Sequence, residues 1–574
     1  MIIPPGPDRR WTLAKYLEDG LLPAPLVSLA RRCRTLLRRL RGGSQQVGRT
    51  LFSNADSRLI AAAFDQNFYL ARNPDVAVAG VDPISHFLRS GWKEGRDPTP
   101  DFSVRDYSEL NPDAFGAGQN PFAHYLRSGR QQGRVAKQNL GFQHDILVDL
   151  ERLDARYARA SARWKSPPRT PRAKLNEALK ISRSSLADFH LTVSHDNYAV
   201  NVGGLQLCVQ REAQALAMDG TDHLHIFPAD TYPTLRTVPN TGLMGALWNG
   251  ELIGYFQADD LADELGAALA PSGTGRRTFA LHSMLGHCRQ DIMKVLQAAE
   301  LDRGYFWLHD FASVCAGFHL LRNDVEDCGA PPPQSAACGV CLYGEQRALH
   351  MSEHGALFEA LSLTVVAPSP SALNTWLSAT DLPFAATLVL PHAALGASRS
   401  CQAPETRGRL RVAFIGVPVG HKGWPVFHQL AERFSADDRY EFVQLGRKAL
   451  NHLPITFHDV TVSADRPHAM AARLEDLAVD VALIWPLCRE TFSFTAFEAV
   501  SAGVAVLTNP DSGNVADFIT GSPHGRVLAD ESALYAFFES GDVLALSRAD
   551  RKPECYDLEF STLSAQLRAD RSRS

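Results

Sequence analysis

From residue 188 onward, short apolar runs rich in β-branched residues alternate with segments of helical length, and the series runs twice. The first comprises LTVSH (191–195), HLHIFPA (223–229), YFWLH (305–309) and LTVVAPS (363–369). After a polar stretch at 396–409 come RVAFIGV (411–417), EFVQLG (441–446), VDVALIW (479–485) and VAVLTN (504–509). Strands this continuously apolar must be covered on both faces, which parallel sheets flanked by helices achieve. The spacing predicts an α/β protein with two Rossmann-like domains, 188–400 and 401–574, facing each other across a cleft. Ligands of such a pair bind outside the carboxyl ends of the strands.

The residues before 188 read differently. In LLPAPLVSLARRCRTLLRRLR (21–41), Leu26, Leu29, Cys33, Leu36, Leu37 and Leu40 recur at helical spacing, with Arg31, Arg34, Arg38 and Arg41 opposite. Such a basic amphipathic segment, within 1–50, suits either an anionic membrane surface or packing on a neighbouring domain. Residues 51–136 hold a repeat: FDQNFYLARNPDVAVAGVDPISHFLRSGWKEGR from Phe64 returns as FSVRDYSELNPDAFGAGQNPFAHYLRSGRQQGR from Phe102, in constant register throughout. This predicts a small helical module of two stacked units, with His86 and His124 as equivalent packing positions. Residues 137–187, polar and broken by SPPRTPR, form a connector.

Bulk properties exclude several classes. The chain of 574 residues has no run of about 18 apolar residues that would span a membrane. Its formal net charge of -5 makes no general case for nucleic-acid binding. Ten scattered cysteines do not read as a secreted disulfide framework, and the amino terminus lacks a signal-peptide order. A cytoplasmic protein, in peripheral contact with the membrane if the basic segment attaches there, is the expectation.

Candidate chemistry lies where strands give way to helices. VNVGGLQLC places Gly203 and Gly204 between LTVSH and a helix, where backbone can approach a ligand anion or sugar oxygen; a plain strand-to-helix turn looks the same. His282 in ALHSMLGH and His309, beside Asp310 in YFWLHDF, are candidates for base or hydroxyl-binding work, against core hydrogen bonding as the alternative. FIGVPVGHKG places Gly416, Gly420 and Lys422 between a strand and a helix, bringing amides and an ammonium to a diphosphate. In RETFSFTAFEAVSAGVAVLTNP, a helix starting near Phe494 offers the amides of Ser493, Phe494 and Thr495, with Glu490 just before it and Glu498 one turn in. The two acids bracket an extended ligand, or else serve as a helix-start acid and a salt-bridge partner. Cys315, Cys328, Cys338 and Cys341 could hold a structural zinc, but the first two lack paired knuckle spacing; reduced thiols or a loop crosslink are preferred.

Together these motifs resemble retaining glycosyltransferases of the two-Rossmann (GT-B) type, especially glycosyltransferase family 4, over about residues 190–530. The most specific mark is E-x7-E, Glu490 to Glu498, followed by AVSAGVAVL. GVPVGHKG looks like the family's diphosphate loop, and ALHSMLGH, LHDF and the NPD repeats resemble bacterial surface-polysaccharide members. The resemblance implies that Glu490 contacts the transferred sugar and Glu498 the donor ribose. Lys422 with Gly416 and Gly420, and the amides of Ser493, Phe494 and Thr495, would hold the diphosphate. Gly203 and Gly204 would floor the cleft, and His282 or His309 would meet the sugar or the acceptor. It implies a nucleotide-sugar donor, a glycan or lipid-linked glycan acceptor, no nucleic acid, and no metal for the leaving group. Many relatives carry a basic residue after the first glycine of the loop, where this chain has Val417; His421 or Arg489 would have to share the charge. A non-catalytic glycan-assembly scaffold with a vestigial site is the rival reading.

Overall fold

The computed structural model describes residues 55–571, except 115–117, 138–140, 164, 231, 270–274, 402–407 and 449–454. The basic segment expected over 21–41 lies outside the described residues. The chain divides at Gly141 into two compact units.

The first unit builds the expected repeat from matched contacts. Tyr69 Oη hydrogen-bonds His86 Nδ1 at 2.8 Å, and at the matching position of the second copy Tyr107 Oη bonds His124 Nδ1 at 2.8 Å. Asp65 caps Phe68 and Ser103 caps Asp106, again at equivalent positions. Arg96 joins Asp75 at 2.8 Å where Arg134 joins Asp113 at 3.1 Å. Tyr69, Phe87, Phe102, Tyr107 and Phe122 form one shared core, so neither copy buries its apolar face alone. The two histidines are packing positions.

The second unit contains two parallel sheets. The first sheet uses β1 (Asp188–Val193), β2 (Asp222–Pro228), β3 (Met244–Trp248), β4 (Glu251–Phe256), β5 (Arg276–Leu281) and β6 (Arg303–Trp307). A short hairpin of β7 (Leu321–Arg322) and β8 (Glu326–Asp327) precedes β9 (Ser362–Ala367) and β10 (Ala386–Val389), which complete the sheet. Its order is β10-β9-β6-β5-β1-β2-β3-β4. All pairs are parallel up to β2, after which β3 and β4 add an antiparallel hairpin. β11 (Ala393–Ser400) then leads into β12 (Leu410–Ile415), β13 (Tyr440–Gly446), β14 (Thr456–Asp459), β15 (Val481–Leu483), β16 (Ala505–Thr508) and β17 (Gly525–Val527). These last six pair in the order β14-β13-β12-β15-β16-β17, the 3-2-1-4-5-6 sequence of a Rossmann sheet. The protein is therefore α/β with two Rossmann-like domains.

Strand order also says where ligands bind. In the first sheet the strand order reverses between β1 and β5, and in the second between β12 and β15. Crevices open outside the carboxyl ends of strands at such switch points. The loop after β1 carries Gly203 and Gly204, and His282 follows β5 directly; Gly416 follows β12, and Glu490 and Glu498 follow β15.

The end of the chain crosses back. β18 (Glu554–Phe560) pairs antiparallel with β11, and Cys401–Cys555 is a disulfide beside that pair. The final helix Ser564–Arg571 then packs on the first domain. Ser564 N–H donates to Glu212 at 2.9 Å, and buried Arg568 bonds Asp188 and the Phe189 carbonyl. The range 401–574 thus holds the whole second sheet, whereas its last helix sits on the 188–400 fold. No helix among the described residues is long and apolar enough to cross a membrane.

Candidate functional site

Three helices frame the site, α1 (Gly204–Met218) after β1, α3 (Trp424–Phe434) after β12 and α4 (Phe494–Ser501) after β15; α2 (Gly344–Ala360) lies between β8 and β9 in the chain. The connection from β12 to α3 makes its bend with two glycines. Gly416 has φ +109°, and Gly423 has φ +82° with a hypothetical Cβ only 1.9 Å from the Trp485 carbonyl. No L side chain fits there. Gly420 has open space around it and ordinary φ, so the required glycines are Gly416 and Gly423, not Gly420.

This bend delivers Lys422 to Glu490, Nζ to Oε1 at 2.7 Å. Burial works against the Lys422 charge, and Glu490 more than offsets it, holding the ammonium above its ordinary value. The lysine side chain keeps 46 % exposure and the glutamate 10 %, so the pair lies open on the lysine side. Glu490 is fixed by its backbone: it donates to Ser512 and accepts from Asn514 N–H at 3.0 Å. Gly513 makes that contact, with φ +62° and a Cβ position 2.7 Å from the Glu490 carbonyl.

Helix α4 starts at the expected residue. Ser493 is its N-cap, yet its hydroxyl bonds Thr495 Oγ1 at 3.0 Å and caps no amide. The first-turn amides therefore have no side-chain cap, which leaves the positive end of the helix for an anion. Gly416 and Gly204 both approach this turn: their Cβ positions would lie 4.0 Å from Thr495 Cγ2 and 3.6 Å from the Phe494 ring. The two switch-point loops and the start of α4 thus meet at one place. Thr491 ties the domains here, its hydroxyl donating to the His309 carbonyl and its carbonyl accepting from Ser369, both at 2.8 Å.

Glu498 is buried at 5 % exposure, and its carboxyl has no hydrogen-bond partner among the described residues. Burial pushes it up to about 8, and Arg211 on α1 pulls it back only in part. Arg211 itself lies over the Phe560 ring at 3.6 Å, its charge disfavoured by burial. Glu498 is neither a satisfied core acid nor a surface salt-bridge partner.

His282 and His309 come together as a relay that the sequence did not show. Their rings share a 2.8 Å hydrogen bond, and His282 Nε2 lies 3.2 Å from Glu212 Oε1. Burial acts to raise Glu212, but His282 and His190 outweigh it and hold the carboxyl well below its ordinary range. A carboxylate only accepts, so His282 Nε2–H donates to Glu212, while His282 Nδ1 and His309 Nε2 share one hydrogen between them. His309 Nδ1 takes no part in either bond. Asp310 is not part of this, because its carboxylate accepts the Ala312 amide at 2.9 Å instead of a ring N–H from His309.

Neither expected substitute for a basic residue at 417 serves. Arg489 is held by Asp327 of β8 through contacts of 2.9–3.0 Å. His421 stacks on His319 with centroids 4.3 Å apart, and burial together with Lys422 lowers it to about 3, so it is neutral. Val417 stands 42 % exposed.

Sequence reading missed Glu212, Arg211 and His392. Glu212 and Arg211 sit mid-helix in LCVQREAQAL, where they look like surface charges. His392 follows β10 with both ring nitrogens buried and unpartnered, stacked on His309 at 4.8 Å and on Phe494 at 5.9 Å. Cys208, His309 and His392 bring one ligand atom each within 4.8 Å of one another. Stacked neutral imidazoles fit mutual packing better than convergence on one ion. No motif reaches His392, since a strand-end histidine so far along the chain from His309 has no sequence partner.

No family model matches the chain, and no curated protein matches it. Among solved structures, sucrose-phosphate synthase from Thermosynechococcus elongatus is similar at 13% identity and TM-score 0.40, covering 67% of this chain and 94% of its own. TarM is similar at 10% identity and TM-score 0.41, covering 67% and 98%. Anabaena HepE in complex with UDP and glucose is similar at 12% identity and TM-score 0.39, covering 67% and 99%. Likeness at this level identifies no family, and the fold rests on the strand orders above.

Proposed function

We propose that the chain is a retaining glycosyltransferase that moves a sugar from a nucleotide-activated donor to a growing bacterial surface glycan, acting in the cytoplasm. One observation carries the reading: Gly204, Gly416, Lys422, Glu490 and the uncapped first turn of α4 converge where the two switch points face each other. The E-x7-E motif supplies the residue roles. The donor diphosphate lies against the α4 amides and Lys422, its ribose reaches Glu498, and its sugar lies by Glu490. Entry of the phosphates draws Lys422 away from Glu490 and frees that carboxylate for the sugar. The amides and ammonium are already oriented for the charge that develops on the departing diphosphate, which is the main electrostatic route to rate enhancement. His309 meets a hydroxyl of the sugar or the acceptor. Sucrose-phosphate synthase, TarM and HepE are similar in architecture, and HepE is described with UDP and glucose.

The test is release of nucleoside diphosphate across a panel of activated sugars, with Glu490→Gln and Lys422→Ala beside the parent. The reading expects one donor to turn over and each variant to lose at least about 100-fold in kcat. Unchanged rates in both variants overturn it. Retention is read separately, from the anomeric configuration of the product. The scaffold reading draws on Val417, Arg489 and His421, which leave Lys422 as the cation of this loop. Calorimetric titration with nucleotides decides between the two, because a scaffold with a vestigial site binds none.

A further inference from the structure

The segment between β6 and α2 carries Cys315, Cys328, Cys338 and Cys341, all free thiols. Although separated in sequence, they line a single cavity of about 20 Å³, room for one ion-sized sphere. Cys315 lies within electrostatic reach of Cys328 and Cys341, and Cys328 of Cys341. The decisive neighbour is Arg347 of α2, which lines the same cavity and is 3 % exposed. Its one hydrogen bond is Nη1 to Cys338 Sγ at 3.1 Å, while Nε and Nη2 are buried without a partner. A guanidinium out of water, with no carboxylate and two unmatched nitrogens, is costly unless an anion faces it. Neutral thiols do not provide one.

We propose that these four cysteines bind a zinc ion as a structural tetrathiolate site, with Arg347 as its counter-charge. Zn²⁺ with four thiolates carries a net charge of −2; the four protons leave to solvent, and Arg347 reduces the site to −1 while donating N–H to sulfur. Zn–S bonds of about 2.3 Å place the sulfurs nearer than they now stand, since no three of the four fall within 4.8 Å of one another. Binding therefore draws the loops inward over the cavity. The consequence reaches the cleft: Asp327, which holds Arg489 next to Glu490, is the neighbour of Cys328. A zinc knot there stiffens the clamp between the domains. The assignment is independent of the sugar-transfer reading.

The experiment uses the full chain purified without chelator from zinc-supplemented cells. Elemental analysis is expected to give about one zinc per chain, and exchange with cobalt the intense ligand-field bands of a tetrahedral thiolate site. The Cys338→Ser/Cys341→Ser protein should lose the metal. Arg347→Met should keep it with affinity lowered roughly 10- to 100-fold, as for loss of an outer-shell partner. If the cysteine variant does not fold, mercurial titration of the parent reads the same quantity, releasing the zinc as the thiols react. A metal-free parent overturns the proposal, whether its thiols are free or mass spectrometry finds a disulfide among the four.

Discussion

Glu498→Gln is the most telling single change in this protein. The parent carboxyl sits buried and unpartnered on α4. A rise from the ordinary 4.5 to about 8 means that ionising it in the folded state costs about 5 kcal/mol in full. The sign follows from which state holds the proton. The folded chain keeps it to higher pH than the unfolded chain, so this contribution to stability is complete below about 4.5 and falls away as pH rises towards 8. At pH 7 about 3 kcal/mol of it is already lost. Glutamine has nearly the same shape and no charge, so the variant should be more stable than the parent by about that amount at pH 7, and closer to it near pH 5. Urea unfolding followed by tryptophan fluorescence suits the measurement, because Trp424 and Trp485 lie in the core of this domain. Midpoints at several pH values between about 5 and 9 should converge at the acid end and separate at the alkaline end. The same variant should bind nucleotide more weakly, since a group that costs stability in the free protein is retained for what it does with a ligand. Parallel pH profiles for variant and parent would refute the buried-acid reasoning. Unaltered nucleotide affinity would detach Glu498 from the ribose.

Other changes test neighbouring parts of the argument. Gly423→Ala should cost more than about 2 kcal/mol in urea unfolding, since it combines left-handed backbone with a clash against the Trp485 carbonyl; Gly420→Ala, in open space, should cost under about 1 kcal/mol. Lys422→Ala should change stability by no more than about 1 kcal/mol, because its pair with Glu490 is half open to water; a large loss would make the pair structural. In the repeat, Tyr69→Phe and Tyr107→Phe each remove one equivalent hydrogen bond, and both should lower stability by a similar ~1 kcal/mol in thermal unfolding. Cys401→Ser should lower stability by about 2–4 kcal/mol in oxidising buffer and by little in reductant, as the bond joins positions 154 apart in sequence.

The sequence by itself determined much of this protein. Apolar strands such as VAFI and VALI, separated by helical segments, can only bury both faces in a parallel sheet, which dictated two α/β domains. The constant register between the two repeat copies fixed His86 and His124 as equivalent positions. Ser493–Phe494 marked the start of α4, because a small polar residue before an apolar helical run is a local signal. Strands without that local signal escaped: β3 and β5 contain Gly–Ala or paired arginines, and β11 and β18 pair across the entire second sheet. The rest was decided by tertiary structure, because it depends on contacts between residues far apart in the chain. Only the folded chain sets Lys422 against Glu490, links His309 through His282 to Glu212, ties Arg489 to Asp327, and carries the last helix back to the first domain. Burial is likewise a property of the assembled core. A helix of FTAFEAVS alone leaves Glu498 in water near its ordinary value; packing α4 between β16 of the second sheet and the β11–β18 pair buries it and leaves an acid that folding alone would not choose.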